Sequence, residues 1–347
     1  MRRMVQLRSA LNSALRRTTG YHLTKLTVPT TAAQALRQMG YRLHDLNDSA
    51  LVATRKSARD VVIDKVDRTT WVLQQRGTAR REVVRLGRRA LRTHLLVDER
   101  AAREHLAQVQ RQTGSYLAHE QISWILRTKK INCVFDVGAN VGQFAQRLRS
   151  SGYRGRIVSF EPVPHLAAQL RRKAENDPDW HVHGCALGDE EGSAEIHAVP
   201  EAGTMSSMLP TSEFGRSWSA DLSNVRSETI TVTRLDSVFD KATEGIAVPR
   251  VFLKMDTQGF DLQAFRGAGD RLGDISALQS EVACLPIYEG MPRLPEMLAV
   301  YEAAGFEIAG MYPVNFHRRT LRVIEFDMLM VRAQRRRKSR RAEPVAQ

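Results

Sequence analysis

The segment VFDVGANVGQFAQRL (134–148) passes from one kind of element to another across a single short turn, and that transition limits the folds open to this chain. Its first residues form an apolar run broken only by Asp136, the pattern of a strand buried on both faces. Gly138, Asn140 and Gly142 follow, and from about Val141 the apolar residues recur at helical spacing. A strand that turns directly into a helix is the building unit of a parallel α/β sheet. Similar short runs recur with helical stretches between them: RIVSFEP (156–162), HVHGCAL (181–187), RVFLKMD (250–256) and ISALQSEV (275–282). SAEIHAV (193–199) and ETITVT (228–233) alternate instead, which predicts an added antiparallel pair. GFEIAGMY (305–312) and RVIEFDMLMVR (322–332) flank a polar turn and predict a terminal hairpin. With a helix expected over 116–129, these elements set an α/β domain over residues 113–332.

The two ends differ from that domain. The net charge of +14 divides into +13 over residues 1–120, −5 over 121–331 and +6 over 332–347. Binding to nucleic acid or to an acidic surface is therefore a question about the extensions. Residues 1–112 read as a basic, mainly helical extension, and residues 333–347 as a basic disordered tail. ALRRTTGYHLTKL (14–26) and ALRQMGYRLHDL (35–46) form a weak repeat. Arg80–Leu96 carries Val83, Val84, Leu86, Leu91 and Leu95 in an amphipathic pattern, suited to packing on the domain or to a membrane surface. No apolar run is long enough to span a bilayer, and the N-terminus lacks the continuous apolar core of a secretory signal. Cys133, Cys185 and Cys284 lie far apart with no CxxC pair, which predicts reduced thiols in a cytoplasmic protein and neither a disulfide framework nor a metal site.

Four places carry chemistry. The glycines of the first loop let backbone approach a ligand, and Asn140 stands where left-handed backbone is needed, which Asn tolerates. The spacing is not the GxGxxG of dinucleotide enzymes. Glu161 ends the second strand 25 residues beyond Asp136, the position from which an acid reaches both hydroxyls of a ribose. Lys254 and Asp256 stand two apart at the end of the fourth strand, so they face one side, where ligands of open α/β sheets bind. A structural Lys–Asp pair accounts for the same pattern. Glu281 ends the fifth strand beside that cleft, as a capping or as a catalytic residue. His181, His183 and His197 read as plain sheet residues, and His317 sits in a polar turn.

In this order, VFDVGANVGQF, SFEPVP, CALGDEEGSAEI, TRLDSV, LKMDTQGFDLQAFRGA and LPIYEG resemble the FkbM family of methyltransferases over about residues 116–332. The family usually has Val where Thr257 stands. The resemblance implies a Rossmann-like class I methyltransferase fold with a mostly parallel sheet of seven strands, the last antiparallel. It implies S-adenosylmethionine as cofactor. By position, Asp136, Gly138, Asn140 and Gly142 would frame its methionine part, Glu161 would hold the ribose, Ala186 and Leu187 would border the adenine, and Asp256 would lie near the sulfonium. It also implies methylation of a hydroxyl on a sugar, glycolipid or polyketide.

Such a transfer is an in-line displacement, so a group near the oxygen should take its proton. Asp256 is the first candidate and Glu281 the second. Two other classes stay open. A nucleic-acid methyltransferase would use the basic ends, although Asp256-Thr257-Gln258-Gly259 is not a base-stacking motif. A non-catalytic cofactor-binding protein would keep the loop alone. The basic ends also suit an anionic membrane surface at which a glycolipid acceptor resides.

Overall fold

The computed structural model describes residues 22–25, 36–47, 50–55, 61–65, 70–75, 93–97, 106–199, 204–317 and 319–333. The chain divides into two compact units, residues 1–113 and 114–347.

In the first unit the described segments are mostly short strands. β1 (His22–Lys25), β2 (Tyr41–Asn47) and β3 (Ala50–Arg55) form an antiparallel sheet in the order β1-β3-β2. β4 (Val61–Lys65), β5 (Thr70–Gln75) and β6 (Thr93–Val97) form a second antiparallel sheet in sequence order. Over the described residues the expected mainly helical character is thus corrected to short strands. VVIDK and TWVLQQ carry Val, Ile, Thr and Trp, residues that favour strands. The two copies of the weak repeat supply β1 and β2, which flank β3 on either side. The proposed amphipathic helix at 80–96 lies mostly outside the described residues, and its end, from Thr93, is strand β6. The tail from residue 334 also lies outside them.

The second unit is built on a seven-stranded sheet. α1 (Leu106–Thr128) leads into β7 (Cys133–Val137), α2 (Gln143–Ser150), β8 (Arg156–Phe160), α3 (Pro164–Ala174) and β9 (Trp180–His183). A side sheet follows, formed by β10 (Ala186–Gly188), β11 (Gly192–Ala198) and, after α4 (Glu213–Trp218), β12 (Arg226–Arg234). The chain then returns through α5 (Leu235–Ala242), β13 (Val251–Met255), α6 (Asp261–Arg266), β14 (Ile275–Ala283) and α7 (Leu294–Ala303) to the hairpin of β15 (Phe306–Phe316) and β16 (Val323–Arg332). The main sheet runs β15-β16-β14-β13-β7-β8-β9, with β16 antiparallel to both neighbours. This is the Rossmann-like class I methyltransferase arrangement expected from the sequence.

Helices cover both faces, which explains why the central strands read as continuous apolar runs. On one face Ile122, Leu126, Ala145, Leu148 and Leu170 of α1–α3 pack on Val134, Ile157, Phe252 and Leu329. On the other, Phe239, Leu262, Phe265 and Tyr301 of α5–α7 pack on Phe135, Val137, Leu253 and Met255. β11 and β12 pair antiparallel from Gly192↔Val232 to Ala198↔Arg226, as their alternation predicted. HVHGCAL is not one strand: it breaks after His183 at Gly184, and Ala186–Gly188 joins the side sheet by pairing parallel with β12.

Candidate active site

The first loop is folded tightly against its neighbours. Gly138 has φ of +70°, and a Cβ there would stand 2.0 Å from the Asp256 carbonyl oxygen, so only glycine lets the loop cross the end of β13. Gly142 (φ +83°) caps α2, and a Cβ would press within 2.6 Å of Leu170 and 2.9 Å of Trp180. Asn140 takes φ of +50°, and its Oδ1 accepts the Val141 N–H at 2.7 Å. The side chain thereby supports the left-handed turn that the sequence anticipated.

Glu161 follows β8 directly and is 4% exposed. One carboxylate oxygen accepts the Asn140 N–H at 2.7 Å and the other accepts the Val163 N–H at 2.9 Å. Glu161 therefore clamps the first loop to the second strand, a role the spacing argument missed. Burial pushes its carboxyl up to about 7, against the lowering effect of those two N–H groups. Each oxygen retains acceptor capacity beside its one bond. A rigid carboxylate with spare lone pairs fits the vicinal hydroxyls of the S-adenosylmethionine ribose, so this donor set accommodates the expected cofactor.

Asp136 is fully buried on β7 and pairs across the sheet with Lys254 of β13. Lys254 Nζ lies 3.1 Å from Asp136 Oδ1 and 3.5 Å from Asp256 Oδ2, and donates to the Gly138 carbonyl at 3.1 Å. Burial alone would depress the ammonium. Asp136 and Asp256 outweigh it and hold Lys254 charged. The Lys–Asp pairing read from the sequence is thus a three-member bridge that ties the first loop to the fourth strand.

Asp256 and Glu281 come together through a residue that sequence reasoning overlooked. Gln258, in left-handed backbone at φ +54°, donates its Nε2 to Glu281 at 2.7 Å and to Asp256 at 3.2 Å. The Tyr288 hydroxyl lies 2.9 Å from both Gln258 Oε1 and the Met205 carbonyl, and donates to one of them at a time. Asp261 anchors the turn from α6: it accepts the Thr257 N–H and hydroxyl, the Ser280 hydroxyl and the Glu281 N–H. Thr257 supplies two of these bonds, and the one from its hydroxyl is the bond that the family's usual Val could not make.

Beyond Glu281 the acids continue. Glu281 stands opposite Asp327, and Ala283 opposite Glu325, in the β14–β16 register. Glu325 accepts from Asn315 at 3.0 Å, and Asp327 from Gln279 at 2.9 Å. Burial and the neighbouring carboxylates raise Glu281 well above the usual range, Glu325 to about 7 and Asp327 to about 6. The available signal was Glu325 and Asp327, two apart in an otherwise apolar strand, the same spacing that singled out Lys254 and Asp256.

Ala186 and Leu187 are held by backbone pairing and apolar packing, and the cluster that includes Ala186 also takes in Val163 and Val141, beside the Glu161 clamp. Their backbones pair with Val232 and Thr233, Ala186 packs with Val163 and Leu166, and Leu187 belongs to the central core. Of the histidines, His317 accepts from Thr320 beside Phe214, and His183 stacks on Phe160.

Residues 136–308 match the methyltransferase FkbM domain. The 2-O-methyltransferase NoeI of Sinorhizobium fredii (strain NBRC 101917 / NGR234) is 23% identical over 210 residues, covering 59% of this chain and 84% of that protein. Among solved structures, magnesium protoporphyrin IX methyltransferase (ChlM) from Synechocystis PCC 6803 is 12% identical with a TM-score of 0.36, over 66% of this chain and 85% of its own. An rRNA methylase from Streptococcus thermophilus is 9% identical with a TM-score of 0.34, over 64% and 97%. The two structural likenesses are too distant to bear on the acceptor. The domain match, over the residues that form the loop, the clamp and the paired carboxylates, shows that the chain belongs to the FkbM family and is an S-adenosylmethionine-dependent methyltransferase.

Proposed function

We propose that the enzyme methylates a hydroxyl oxygen of a sugar, glycolipid or polyketide acceptor. The observation that carries this reading is the Gln258 amide, which holds the Asp256 and Glu281 carboxylates side by side at the ends of adjacent strands, next to the loop expected to hold the cofactor. When bound, S-adenosylmethionine supplies the methyl group together with its own leaving group. The chain's residues then have two tasks: to align the acceptor oxygen for in-line attack, and to receive its proton as the bond forms. Asp256 has 42% of its side chain exposed, so it reaches both the acceptor and solvent. Glu281, with a raised proton affinity, is a stronger base once ionised. The name of the weakly similar NoeI, a 2-O-methyltransferase, points the same way.

The test is methyl transfer by the full-length protein to lipid, glycan and RNA fractions, with mass spectrometry locating the added methyl. Transfer to oxygen in a lipid or glycan supports the reading, and transfer to an RNA base replaces it. Asp256→Asn should lower kcat by about 10²–10⁴-fold, the usual worth of a positioned base, with cofactor affinity kept. Among the described residues no helix is long and apolar enough to cross a membrane. The charge at the two ends supports reversible attachment to an anionic membrane surface, where such an acceptor would reside. Co-sedimentation with anionic vesicles should weaken as salt rises and fall when both ends are removed.

A further inference from the structure

The face of the sheet beneath α1 and α2 carries a polar band. Asp136, Lys254 and Gln279 are direct neighbours across β7, β13 and β14, and Glu281 and Asp327 are neighbours one step nearer the carboxyl edge. The cations and the acids in this band are unevenly placed. Lys254 is committed to Asp136 and Asp256. Glu281, Asp327 and Glu325 are each answered by one neutral amide, from Gln258, Gln279 and Asn315 respectively. Arg147 of α2 attracts Asp327 as well, but its Nη1 donates to Ser115.

An independent observation shows what this wall lacks. Gln279 is 7% exposed, and its Nε2 is used on Asp327. Its other amide atom, Oε1, is buried with no hydrogen-bond partner. A buried carbonyl oxygen without a donor is costly, and it lies on the side chain that donates to Asp327. The groups left open here are carboxyl oxygens and this amide oxygen, and a carboxyl becomes a pure acceptor when a cation beside it keeps it ionised. What completes such a wall brings several donors and a positive charge. Among the described residues no group of three or more acids, His or Cys is arranged to hold a metal ion. An ammonium presents three N–H donors where a hydroxyl presents one.

We propose that the acceptor is an amino alcohol or amino sugar whose protonated amine sits against Glu281, Asp327 and Glu325, with Gln279 Oε1 taking one of its N–H groups. This inference rests on the reading of the site as one for hydroxyl methylation, and it names the class of acceptor. The amine anchors the acceptor over β14 and β16, so that a hydroxyl on the same molecule is presented at Asp256, nearer the first loop. Lone carbohydrates without a free amine would add no cation to the neutral amides that answer the three carboxylates.

The experiment uses the full-length protein with S-adenosylhomocysteine bound and two probes that share every hydroxyl: kanamycin A and its fully N-acetylated form. Calorimetry should find the free amine bound at least about tenfold more tightly. Asp327→Asn and Glu325→Gln should each shrink that preference to within about threefold, while leaving the acetylated form unaffected. Thermal unfolding of both variants is read first, because each removes one charge from a repelling cluster and should leave the fold intact. Equal binding, no binding of either probe, or a preference that survives both variants overturns the proposal. The last of these would place the amine on another acidic surface. Replacing S-adenosylhomocysteine by S-adenosylmethionine separates this idea from the reading beneath it. Transfer to oxygen in both probes equally keeps hydroxyl methylation and removes the amine pocket. An amine preference with the methyl found on nitrogen keeps the pocket and removes hydroxyl methylation.

Discussion

The carboxyl edge of the sheet treats its acids in two ways. At β7 and β8, Glu161 is answered by two backbone N–H groups and Asp136 by the Lys254 ammonium and the Ser159 hydroxyl. At β14 and β16, Glu281, Glu325 and Asp327 are answered by side-chain amides. A backbone donor is fixed by the fold, whereas a Gln or Asn amide moves by rotating about its own bonds. Fixed donors suit a ligand that never varies, such as the cofactor expected at the first half. The second half has adjustable walls, which suits an acceptor. The pivot is Lys254, which faces Asp136 on one side and Asp256 on the other.

Removing the pivot should have the largest effect. Lys254→Met leaves Asp136, fully buried, without its cation, and breaking one partner of a buried pair costs about 3–5 kcal/mol. Chemical denaturation should show a loss of that order, together with loss of cofactor binding as the first loop loses the Gly138 carbonyl contact. A loss under about 1 kcal/mol would mean the pair behaves like a solvated surface bridge, and the two halves are not joined there.

The next effect separates the halves. Glu161→Gln keeps an acceptor for one N–H but loses the charge, and should weaken S-adenosylmethionine binding by roughly 10- to 100-fold, the equivalent of about 1.5–3 kcal/mol for a charged hydrogen-bond acceptor. Glu325→Gln should leave that affinity unchanged. Equal losses in the two variants would erase the distinction between the halves.

A smaller effect comes from pH. The Glu161 carboxyl is pushed up to about 7 by burial, and on the reading that it holds the cofactor ribose, the ionised form would accept from both hydroxyls. Binding should therefore release a proton near neutral pH, and affinity should fall by up to about tenfold per unit as pH drops below 7. Calorimetry in buffers of different ionisation heat reads this directly. No proton release between pH 6 and 8 would show that Glu161 is already ionised, or that it does not touch the ribose.

The same contrast governs how much was legible in the sequence. Strands buried on both faces write themselves as apolar runs, so β7, β8, β13 and β14 and the order of the domain could be read directly. Asp136, Lys254 and Asp256 stood out as charges in those runs, and Glu161 by its distance from the loop. The short strands of residues 22–97 were not legible. YRLHDLN and THLLV mix polar and apolar positions over too few residues for one period to prevail. Gln258 carries no pattern at all, since a Gln in a turn resembles any solvated residue until its neighbours are known. The acid cluster depends on register: only the antiparallel pairing of β14 with β16 sets Glu281 opposite Asp327, and pairing is a tertiary property.

The smallest predicted effect tests the adjustable half alone. Glu325 in the fold is raised to about 7 from an ordinary 4.5 by burial and by Asp256 and Asp327, so the native state favours its protonated form. Such a group contributes stability that is fully present below its unfolded pKa and is lost as pH rises through the folded one. Asp327, raised to about 6, acts in the same direction over a slightly lower window. Glu325→Gln stays neutral throughout and keeps an oxygen for the Asn315 amide. The variant should therefore match the parent near pH 5 and exceed it at pH 8 by about 1 kcal/mol, less than the full shift because coupled carboxyls share protons. His119 works in the opposite direction, since burial and Arg147 hold its imidazole down to about 4 and its protonation destabilises the fold as pH falls. Both proteins contain His119, so the difference between their melting temperatures, rather than either profile, isolates Glu325. A difference that does not change from pH 5 to pH 8 would mean that water already solvates this carboxylate. The amide-lined half of the edge would then be no less fixed and no more strained than the backbone-clamped one.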